Sequence, residues 1–426
     1  MSELGITEGA PAVIENAVSR PPGDRIRVGI IGNGGEGESL VRSAGFAHPE
    51  WVEDSRAAAE RNPRNRGFAT FMAQDDLNID LTAVCDVFDV RAQRGLDAAA
   101  NKVGPTAEGS SGQARRYLRY TDMLESDDVD AVLIATPDHW HAQMCIDAAA
   151  AGKHIACEKP IEVSLERVDK MIAACRKHKV MLAGIFQRRF NEATQIFKKA
   201  MDGGRLGKIT LADAYIKWYR TQAYYDSGYW RGTWKLDGGG ALMNQSIHTI
   251  DLLYYLAGEV KWVCAFADRS IHKRIETEDN AVAILKFKNG AMGVIEGSTS
   301  CYSPTGHPAE VHICGSEGSI FMRDNSFTVW DFKRRRSNDN KIMQKFAGQQ
   351  GGPGAGAADP AAIDYVPHQK NFEDMVKALK KGGKPLVDGA EGRKAIEIIL
   401  AIYRSALTGG KPVQLPLKRT PIRRAF

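Results

Sequence analysis

The stretch IRVGIIGNGGEG, Ile26–Gly37, joins an apolar run of strand length to a glycine-rich turn. The run covers Ile26–Ile31, and the glycines that follow it have G-x-G-x-x-G spacing. Such a turn allows a helix to begin with free backbone N–H groups, which bind a pyrophosphate. The stretch therefore predicts the first strand, loop and helix of a dinucleotide-binding domain. The loop residues expected to contact the cofactor are Gly32, Asn33, Gly34, Gly35 and Gly37.

Strand and helix patterns alternate after this loop. Asp80–Val87, Asp130–Pro137, Lys153–Pro160 and Val180–Phe186 are apolar runs of strand length, and Met144–Gly152 has the composition of a helix ending at a glycine. Alternation of this kind is typical of parallel strands joined by crossover helices. A polar segment around residues 50–76 lengthens the first crossover, and we interpret it as an insertion.

The pattern changes after about residue 190. Strand candidates become aromatic-rich or alternating, and Asn289-Gly290 between two of them predicts a β-hairpin. Residues 348–362 are rich in Gly, Ala and Pro and predict a mobile loop. The expected fold class is α/β, with an N-terminal Rossmann domain and a C-terminal α/β domain built on a large, mostly antiparallel open sheet. The expected boundaries are a tail at 1–24, the Rossmann domain at 25–160 and the second domain at 161–426.

Composition excludes several classes of protein. Of 426 residues, 43% are hydrophobic and 26% charged, and the net charge of +5 is too small to indicate a nucleic-acid partner. No apolar run reaches the ~20 residues of a membrane helix. Seven scattered cysteines without C-x-x-C spacing indicate neither a disulfide framework nor zinc, so we expect no metal and a cytoplasmic protein.

Asp86 ends the second predicted strand, where an acid accepts hydrogen bonds from an adenosine ribose. Its charge would repel a 2′-phosphate, which favours NAD. Arg91 and Arg94 follow closely and could pair with such a phosphate, so NADP stays possible.

Four further motifs carry a family resemblance: Ala135–His141 (ATPDHWH), Glu158–Pro160 (EKP), Gln187–Asn191 (QRRFN) and Gly238–Asp251 (GGGALMNQSIHTID). Together with the glycine loop they closely resemble the glucose–fructose oxidoreductase, inositol dehydrogenase and rhizopine-catabolism (Gfo/Idh/MocA) family. The resemblance implies an NAD(P)-binding domain, a second domain whose open sheet often forms a homodimer or homotetramer, and hydride transfer at a carbinol of a sugar, inositol or sugar derivative. The further cofactor contacts it implies are Asp86, Thr136, Pro137, His141, Glu158, Lys159, Trp230 and Arg231.

Two residues in these motifs suit acid–base chemistry. Lys159 stands at a strand end, directly before a proline that favours an extended backbone there. Its ammonium can polarise a substrate hydroxyl. The imidazole of His248 titrates near neutrality and suits deprotonation of an alcohol. His248 stands four residues after Asn244 and three before Asp251, so a regular helix would place all three on one face.

Asn244 departs from the commonest family pattern, which has aspartate there. Asparagine can bind a sugar hydroxyl or orient His248, but it cannot accept a proton. The base is then His248 or Lys159. Aromatics beside arginines, in Trp218–Arg220 and Tyr224–Arg231, suit sugar and carboxylate binding, although packing on the core explains the earlier part equally well. The expected catalytic residues are Lys159, His248 and Asn244; the expected substrate contacts are Lys159, Arg188, Asn244, His248 and Tyr225.

Three functions fit these residues. The first is an NAD(P)-dependent dehydrogenase acting on a sugar or polyol. The second is a redox-neutral glycosidase that oxidises C3 transiently, eliminates the aglycone and regenerates its cofactor. The third is a nucleotide-binding sensor without turnover, which retention of Lys159 and His248 argues against.

Overall fold

The computed structural model describes residues 25–63, 65–347 and 366–421. The chain divides into two compact units, and both sheets of the predicted fold class are present, which confirms it. The expected N-terminal tail at 1–24 and the expected loop at 348–362 lie outside the described residues. Among the described residues, no helix is long and apolar enough to cross a membrane.

The first unit contains a six-stranded parallel sheet in the order β3-β2-β1-β4-β5-β6. Its strands are β1 (Ile26–Ile31), β2 (Ile79–Cys85), β3 (Arg115–Tyr117), β4 (Ala131–Ile134), β5 (His154–Glu158) and β6 (Leu182–Ile185). Apart from the short edge strand β3, the strands are mostly apolar, because helices cover both faces of a parallel sheet. The order reverses between β1 and β4, and ligands of such sheets bind at the carboxyl ends of the strands beside this point.

Eight helices belong wholly or mainly to this unit. They are α1 (Gly35–Ser43), α2 (Pro49–Arg61), α3 (Gly67–Met72), α4 (Asp89–Ala100), α5 (Tyr120–Glu125), α6 (His141–Ala150), α7 (Leu165–His178) and α12 (Val366–Lys381). The segment interpreted as an insertion forms α2 and α3, which pack through Trp51 and Phe71 with ring centroids 5.3 Å apart.

The boundary expected at residues 160 and 161 differs from the division in the structure. The first unit also includes residues 167–185 and part of the chain after 365. The reason is hydrogen bonding and packing: β6 pairs in parallel with β5, and Phe372, Met375 and Val376 of α12 join the core that contains Ile30. A sequence division at one point cannot describe a chain that returns to its first unit.

The second unit contains an eight-stranded sheet in the order β13-β12-β11-β7-β10-β9-β8-β14. Its strands are β7 (Ile209–Lys217), β8 (Val260–Asp268), β9 (Asn280–Phe287), β10 (Met292–Ser298), β11 (Glu310–Gly315), β12 (Gly318–Arg323), β13 (Ser326–Phe332) and β14 (Val413–Gln414). All neighbours are antiparallel except β7 and β10. The predicted hairpin at Asn289-Gly290 joins β9 to β10, and Gly290 has φ +94°.

The remaining helices lie in or extend into this unit: α8 (Glu192–Asp202), α9 (Gln222–Asp226), α10 (Ile247–Ala257), α11 (Asp339–Ala347) and α13 (Gly389–Leu407). A π-helical turn, Ala241–Ser246, leads directly into α10. Helix α10 is apolar on most sides, as expected for a helix buried against the sheet.

Candidate active site

The glycine loop connects β1 to α1, and its glycines are required for different structural reasons. Gly32 has φ +88°, and a Cβ there would lie 2.8 Å from the Ala135 carbonyl oxygen. A Cβ on Gly37 would lie 2.2 Å from the Gly32 oxygen, so both positions require glycine for packing. Gly35 is different, because nothing lies within 4 Å of its position for a Cβ. The position of Gly35 at the start of α1 therefore faces open space, as a phosphate-binding loop requires.

Asp86 fixes the shape of this loop. Its carboxylate is buried, and it accepts the N–H of Asn33 at 2.7 Å and the N–H of Phe88 at 2.8 Å. The Asn33 side chain in turn donates to the Arg91 carbonyl oxygen at 2.8 Å. Asp86 thus positions the loop in addition to any contact with a ribose.

The two arginines that could favour NADP differ in their surroundings. Arg94 contacts Glu38 and Glu50, each at 2.6 Å, so two carboxylates neutralise it. Arg91 stacks over Phe88, 4.6 Å from the ring centroid. Arg94 therefore has no free charge to pair with a 2′-phosphate, and of the two arginines Arg91 alone could do so. The loss of one of two phosphate partners favours NAD.

His141 ties together two of the loops that follow the strands. Its Nδ1 lies 2.9 Å from the Pro160 carbonyl oxygen, and its Nε2 lies 2.8 Å from the Thr136 carbonyl oxygen. Complete burial lowers the pKa of His141 to about 4. A neutral imidazole has one N–H and donates to one of these carbonyls at a time. His141 therefore supports the cofactor-facing loops from inside the unit.

Glu158 ends β5 immediately before Lys159. One carboxylate oxygen, Oε2, accepts the Lys159 N–H at 2.9 Å, while Oε1 is buried and accepts no hydrogen bond among the described residues. Burial, followed by repulsion from Glu36, raises the pKa of Glu158 to about 8. An unsatisfied buried oxygen beside the open loop suits a hydroxyl donor of a bound dinucleotide.

His368 of α12 was missed by the sequence analysis. It is buried, and its Nε2 lies 3.6 Å from a carboxylate oxygen of Glu36 in the first turn of α1. Glu36, Glu158 and His368 each place one potential ligand atom within 4.8 Å of the others. The sequence did contain a pattern that could have identified it. His368 shares i, i+3, i+4 and i+7 spacing with Asn371, Phe372 and Met375, which predicts a buried helix face.

Glu158→Gln should make the protein more stable than wild type as pH rises. The unfolded glutamate ionises near pH 4.5, whereas the folded one holds its proton to about pH 8. Between these values the folded state binds the additional proton, so stability falls as pH rises. We expect a difference of about 4 kcal/mol in favour of Glu158→Gln at pH 8, which falls to near zero at about pH 4.5.

Urea unfolding at a series of pH values measures this difference. Glu108→Gln, which removes an exposed carboxylate, serves as the control and should not change the pH dependence. A constant difference between wild type and Glu158→Gln across the range would contradict the raised pKa.

In the second unit, the run Gly238–Gly240 is required by close packing. A Cβ on Gly238 would lie 2.3 Å from the Val163 side chain, and one on Gly240 would lie 1.8 Å from the Glu278 carbonyl oxygen. The buried Glu278 carboxylate accepts the N–H groups of Gly240 and Leu242 at 3.1 and 2.8 Å. These contacts hold the start of the π-helical turn.

Asn244 lies in the π-helical turn and is hydrogen-bonded to residues other than its expected partner His248. Its Nδ2 donates to Asp237 at 3.0 Å, and its Oδ1 accepts from Tyr224 at 3.3 Å and from Gln245 at 3.2 Å. None of its hydrogen bonds reaches His248. The expected shared face was based on α-helical spacing, which the wider π-helical turn alters before α10 begins.

His248 and Asp251 also differ in role. The His248 ring packs edge-to-face on Phe186, with centroids 6.4 Å apart, and is 7% exposed. Asp251 forms a buried ion pair with Arg189, with oxygen–nitrogen distances of 2.6 and 2.8 Å. Asp251 is therefore part of the core, and His248 remains the titratable group of this helix that suits catalysis.

Tyr225, expected to contact substrate, lies in the interior. Its hydroxyl is 2.8 Å from Thr299 Oγ1, and its ring packs on His272. The neighbouring Tyr224 instead joins the Asn244 network and receives a hydrogen bond from Arg231 at 2.8 Å. Arg231 lies over both Tyr224 and Trp230, 4.4 Å from each ring centroid. Tyr225 is therefore enclosed by the core, and Tyr224 is the tyrosine of this pair that joins the Asn244 network.

Asn244→Asp should destabilise the protein because it places a second carboxylate against Asp237. One of the two acids must then hold a proton, so its folded pKa rises and the variant loses stability as pH increases above about 4. We expect a loss of about 1–3 kcal/mol at pH 8 and a smaller one at pH 5. Thermal unfolding at both pH values tests this.

The double variant Asp237→Asn with Asn244→Asp is the matched control. It exchanges the two groups and restores one donor and one acceptor, so it should recover most of the loss. Equal stability of Asn244→Asp and wild type at pH 8 would show that this contact contributes nothing.

Comparisons with known proteins agree with this geometry. Residues 26–186 match the family described as oxidoreductase family, NAD-binding Rossmann fold, and residues 194–321 match the GFO/IDH/MocA C-terminal domain. Myo-inositol 2-dehydrogenase of Thermotoga maritima is 29% identical over 344 residues, 79% of this chain and 92% of that protein. The scyllo-inositol 2-dehydrogenase (NAD(+)) of Bacillus subtilis is 27% identical over 340 residues, 74% and 89% of the two chains.

A solved structure gives the same result. The WlbA dehydrogenase from Bordetella pertussis, in complex with NADH and UDP-GlcNAcA, superimposes with a TM-score of 0.71 at 29% identity, covering 93% of this chain and 99% of that one. These matches confirm the resemblance inferred from the motifs. The chain belongs to the GFO/IDH/MocA family of NAD-binding oxidoreductases.

Proposed function

We propose that this oxidoreductase removes a hydride from a carbinol of a sugar, inositol or sugar derivative, with Lys159 and His248 handling the proton. The observation that carries the proposal is the buried Glu158 Oε1, which accepts no hydrogen bond among the described residues and stands next to Lys159 and the open glycine loop. The residues present fit a dinucleotide: backbone N–H groups at the start of α1 for its phosphates and Asp86 for a ribose. NAD, when bound, supplies the hydride acceptor.

In this mechanism Lys159 donates a hydrogen bond to the substrate hydroxyl that is oxidised, and His248 accepts its proton. Asn244 has both amide groups engaged by Asp237, Tyr224 and Gln245. It therefore acts by holding these side chains in place or by an additional contact to a substrate hydroxyl. Its amide cannot serve as the base.

The experiment incubates the protein with NAD or NADP and a panel of sugars, inositols and nitrophenyl glycosides. Reduced nicotinamide, read by absorbance, supports the dehydrogenase. Release of nitrophenol without reduced nicotinamide supports the redox-neutral glycosidase, and binding of NAD without turnover supports the sensor. We expect NAD to bind more tightly than NADP, because Asp86 lies at the end of β2 and Arg94 is neutralised.

We also propose a cytoplasmic homodimer or homotetramer. All seven cysteines carry free thiols, which suits a reducing compartment. The outer face of the second sheet exposes apolar side chains that a partner copy would cover: Leu211, Phe266, Val282, Ile284 and Met292. Light scattering of wild type and Ile284→Lys measures the mass, and a monomeric wild type would contradict the proposal.

A further inference from the structure

Three arginines of the second unit are linked through aromatic rings. The guanidinium of Arg188 lies over Trp218 at 5.6 Å from the ring centroid, and that of Arg220 lies 5.3 Å from the same ring. Arg220 also lies over Tyr224, 5.6 Å from its ring centroid, and Arg231 lies 4.4 Å from the centroid of the same ring. We name these five residues, Arg188, Trp218, Arg220, Tyr224 and Arg231, the arginine–aromatic ladder.

The ladder is linked to Asn244 by a hydrogen bond and to the neighbourhood of His248 by the chain. Tyr224 donates its hydroxyl to Asn244, and Arg188 follows two residues after Phe186, whose ring packs on His248. A ligand on the ladder would therefore lie close to the reacting end of α10.

Arg188 has little to satisfy its charge. Its side chain is 17% exposed, and among the described residues its nearest carboxylate oxygen belongs to Asp324, at 3.9 Å. Arg188 donates no side-chain hydrogen bond to another described residue, although a guanidinium has five N–H donors. For a partly buried guanidinium this arrangement is unfavourable, and it suits a ligand of opposite charge.

A second donor points to the same ligand. The Trp218 ring is 5% exposed, and its Nε1–H is buried without a hydrogen-bond partner among the described residues. Buried indole N–H groups normally find an acceptor. In the part of the chain that the structure describes, the Gln187 Oε1 atom is also buried without a hydrogen-bond partner, which suits a hydroxyl of the same ligand.

We propose that the arginine–aromatic ladder binds an acidic group of the substrate, so that the substrate class is a sugar acid whose carboxylate accepts from Arg188 and from Trp218 Nε1. This inference rests on the proposed function and narrows its substrate class. A planar carboxylate offers two oxygens, one for each donor. A sugar phosphate carries the same oxyanion chemistry and is separated from it by the experiment below.

The experiment compares D-glucose, D-galactose and D-mannose with their uronates and 6-phosphates. Binding is measured by tryptophan fluorescence at constant ionic strength with NAD present, and turnover by reduced nicotinamide. For wild type we expect at least one uronate to bind roughly 10- to 100-fold more tightly than its neutral sugar, the weight of hydrogen bonds to a charged group. A larger preference for the 6-phosphates would overturn the carboxylate assignment.

Two variants test the named donors through the ratio of uronate to neutral-sugar affinity. Arg188→Gln removes the charge and should lower this ratio by roughly 10-fold or more. Trp218→Phe removes the N–H but keeps a smaller aromatic ring, and should lower the ratio by about 3- to 10-fold. Trp262→Phe and Arg323→Gln, on other strands of the same sheet, are the matched controls and should leave the ratio unchanged. A general structural defect would weaken both ligands alike and leave the ratio where it was.

Failure of the sugar-acid inference can be distinguished from failure of the proposed dehydrogenase function. If wild type oxidises neutral sugars or inositols and shows no preference for any uronate, the inference is wrong and the proposed function stands. If uronates bind through Arg188 but nothing is oxidised, the anion subsite stands and the dehydrogenase fails. If no uronate binds at all, the inference is wrong.

Discussion

Lys159→Ala and His248→Ala should each lower kcat on a good substrate by roughly 100-fold or more, the usual scale of a general acid–base contribution. Lys159 follows Glu158 at the end of β5, where its backbone N–H is held by that carboxylate at 2.9 Å. His248 lies in α10 against Phe186. Each residue is thus placed by buried neighbours, and truncating it removes the functional group.

Lys159→Met adds a sharper comparison, because it keeps the length of the side chain and removes only the ammonium. NAD affinity, measured by fluorescence, should survive in His248→Ala and fall only modestly in Lys159→Met. His312→Ala, on a strand that carries no proposed site residue, is the control for loss of a histidine. Turnover near the wild-type rate in His248→Ala would require another base.

Arg189→Met should lower the free energy of unfolding by about 3–5 kcal/mol, because it leaves the carboxylate of Asp251 buried without its ion-pair partner. Both side chains are 1% exposed. The guanidinium also lies over Tyr255, 4.6 Å from the ring centroid. This pair joins the turn after β6 to α10, and it therefore supports the helix that carries His248.

Two measurements distinguish the loss of the ion pair from the loss of packing volume in Arg189→Met. In Arg189→Met the pKa of Asp251 should rise, so the deficit should shrink as pH falls and the carboxylate takes up a proton. The double variant Arg189→Met with Asp251→Leu should recover much of the stability, since an apolar pair replaces a buried ion pair at little cost. Urea unfolding at pH 5 and pH 8 measures both effects, and a deficit independent of pH would contradict the charge argument.

Motifs formed by consecutive residues could be predicted from the sequence better than contacts between distant residues. The glycine loop could be predicted in detail because its chemistry is local: strand, turn and helix are consecutive, and backbone sterics alone require glycine at Gly32 and Gly37. The predicted strands of the first unit follow from apolar runs of the right length. Asn289-Gly290 predicted its hairpin for the same local reason.

The hydrogen bonds of Asn244 to Asp237, Tyr224 and Gln245 could not be predicted from spacing. A π-helical turn adds a residue to one turn of helix, and it forms here because Glu278 and Tyr403, distant in sequence, hold Gly240. Tyr225 shows a similar limit. Two adjacent tyrosines have the same chemistry, and only the packing of Tyr225 on His272 and Thr299 decides which of them is buried.

The sequence by itself determined the fold class, the cofactor loop and the candidate pair Lys159 and His248, because each depends on periodicity or on residues adjacent in the chain. The tertiary structure alone decided which charges are neutralised and which are available. Arg94 is paired with two acids, Arg189 with Asp251, and Arg188 has only a distant carboxylate. These outcomes depend on electrostatic contacts between residues far apart in sequence, and such contacts exist only once the chain has folded.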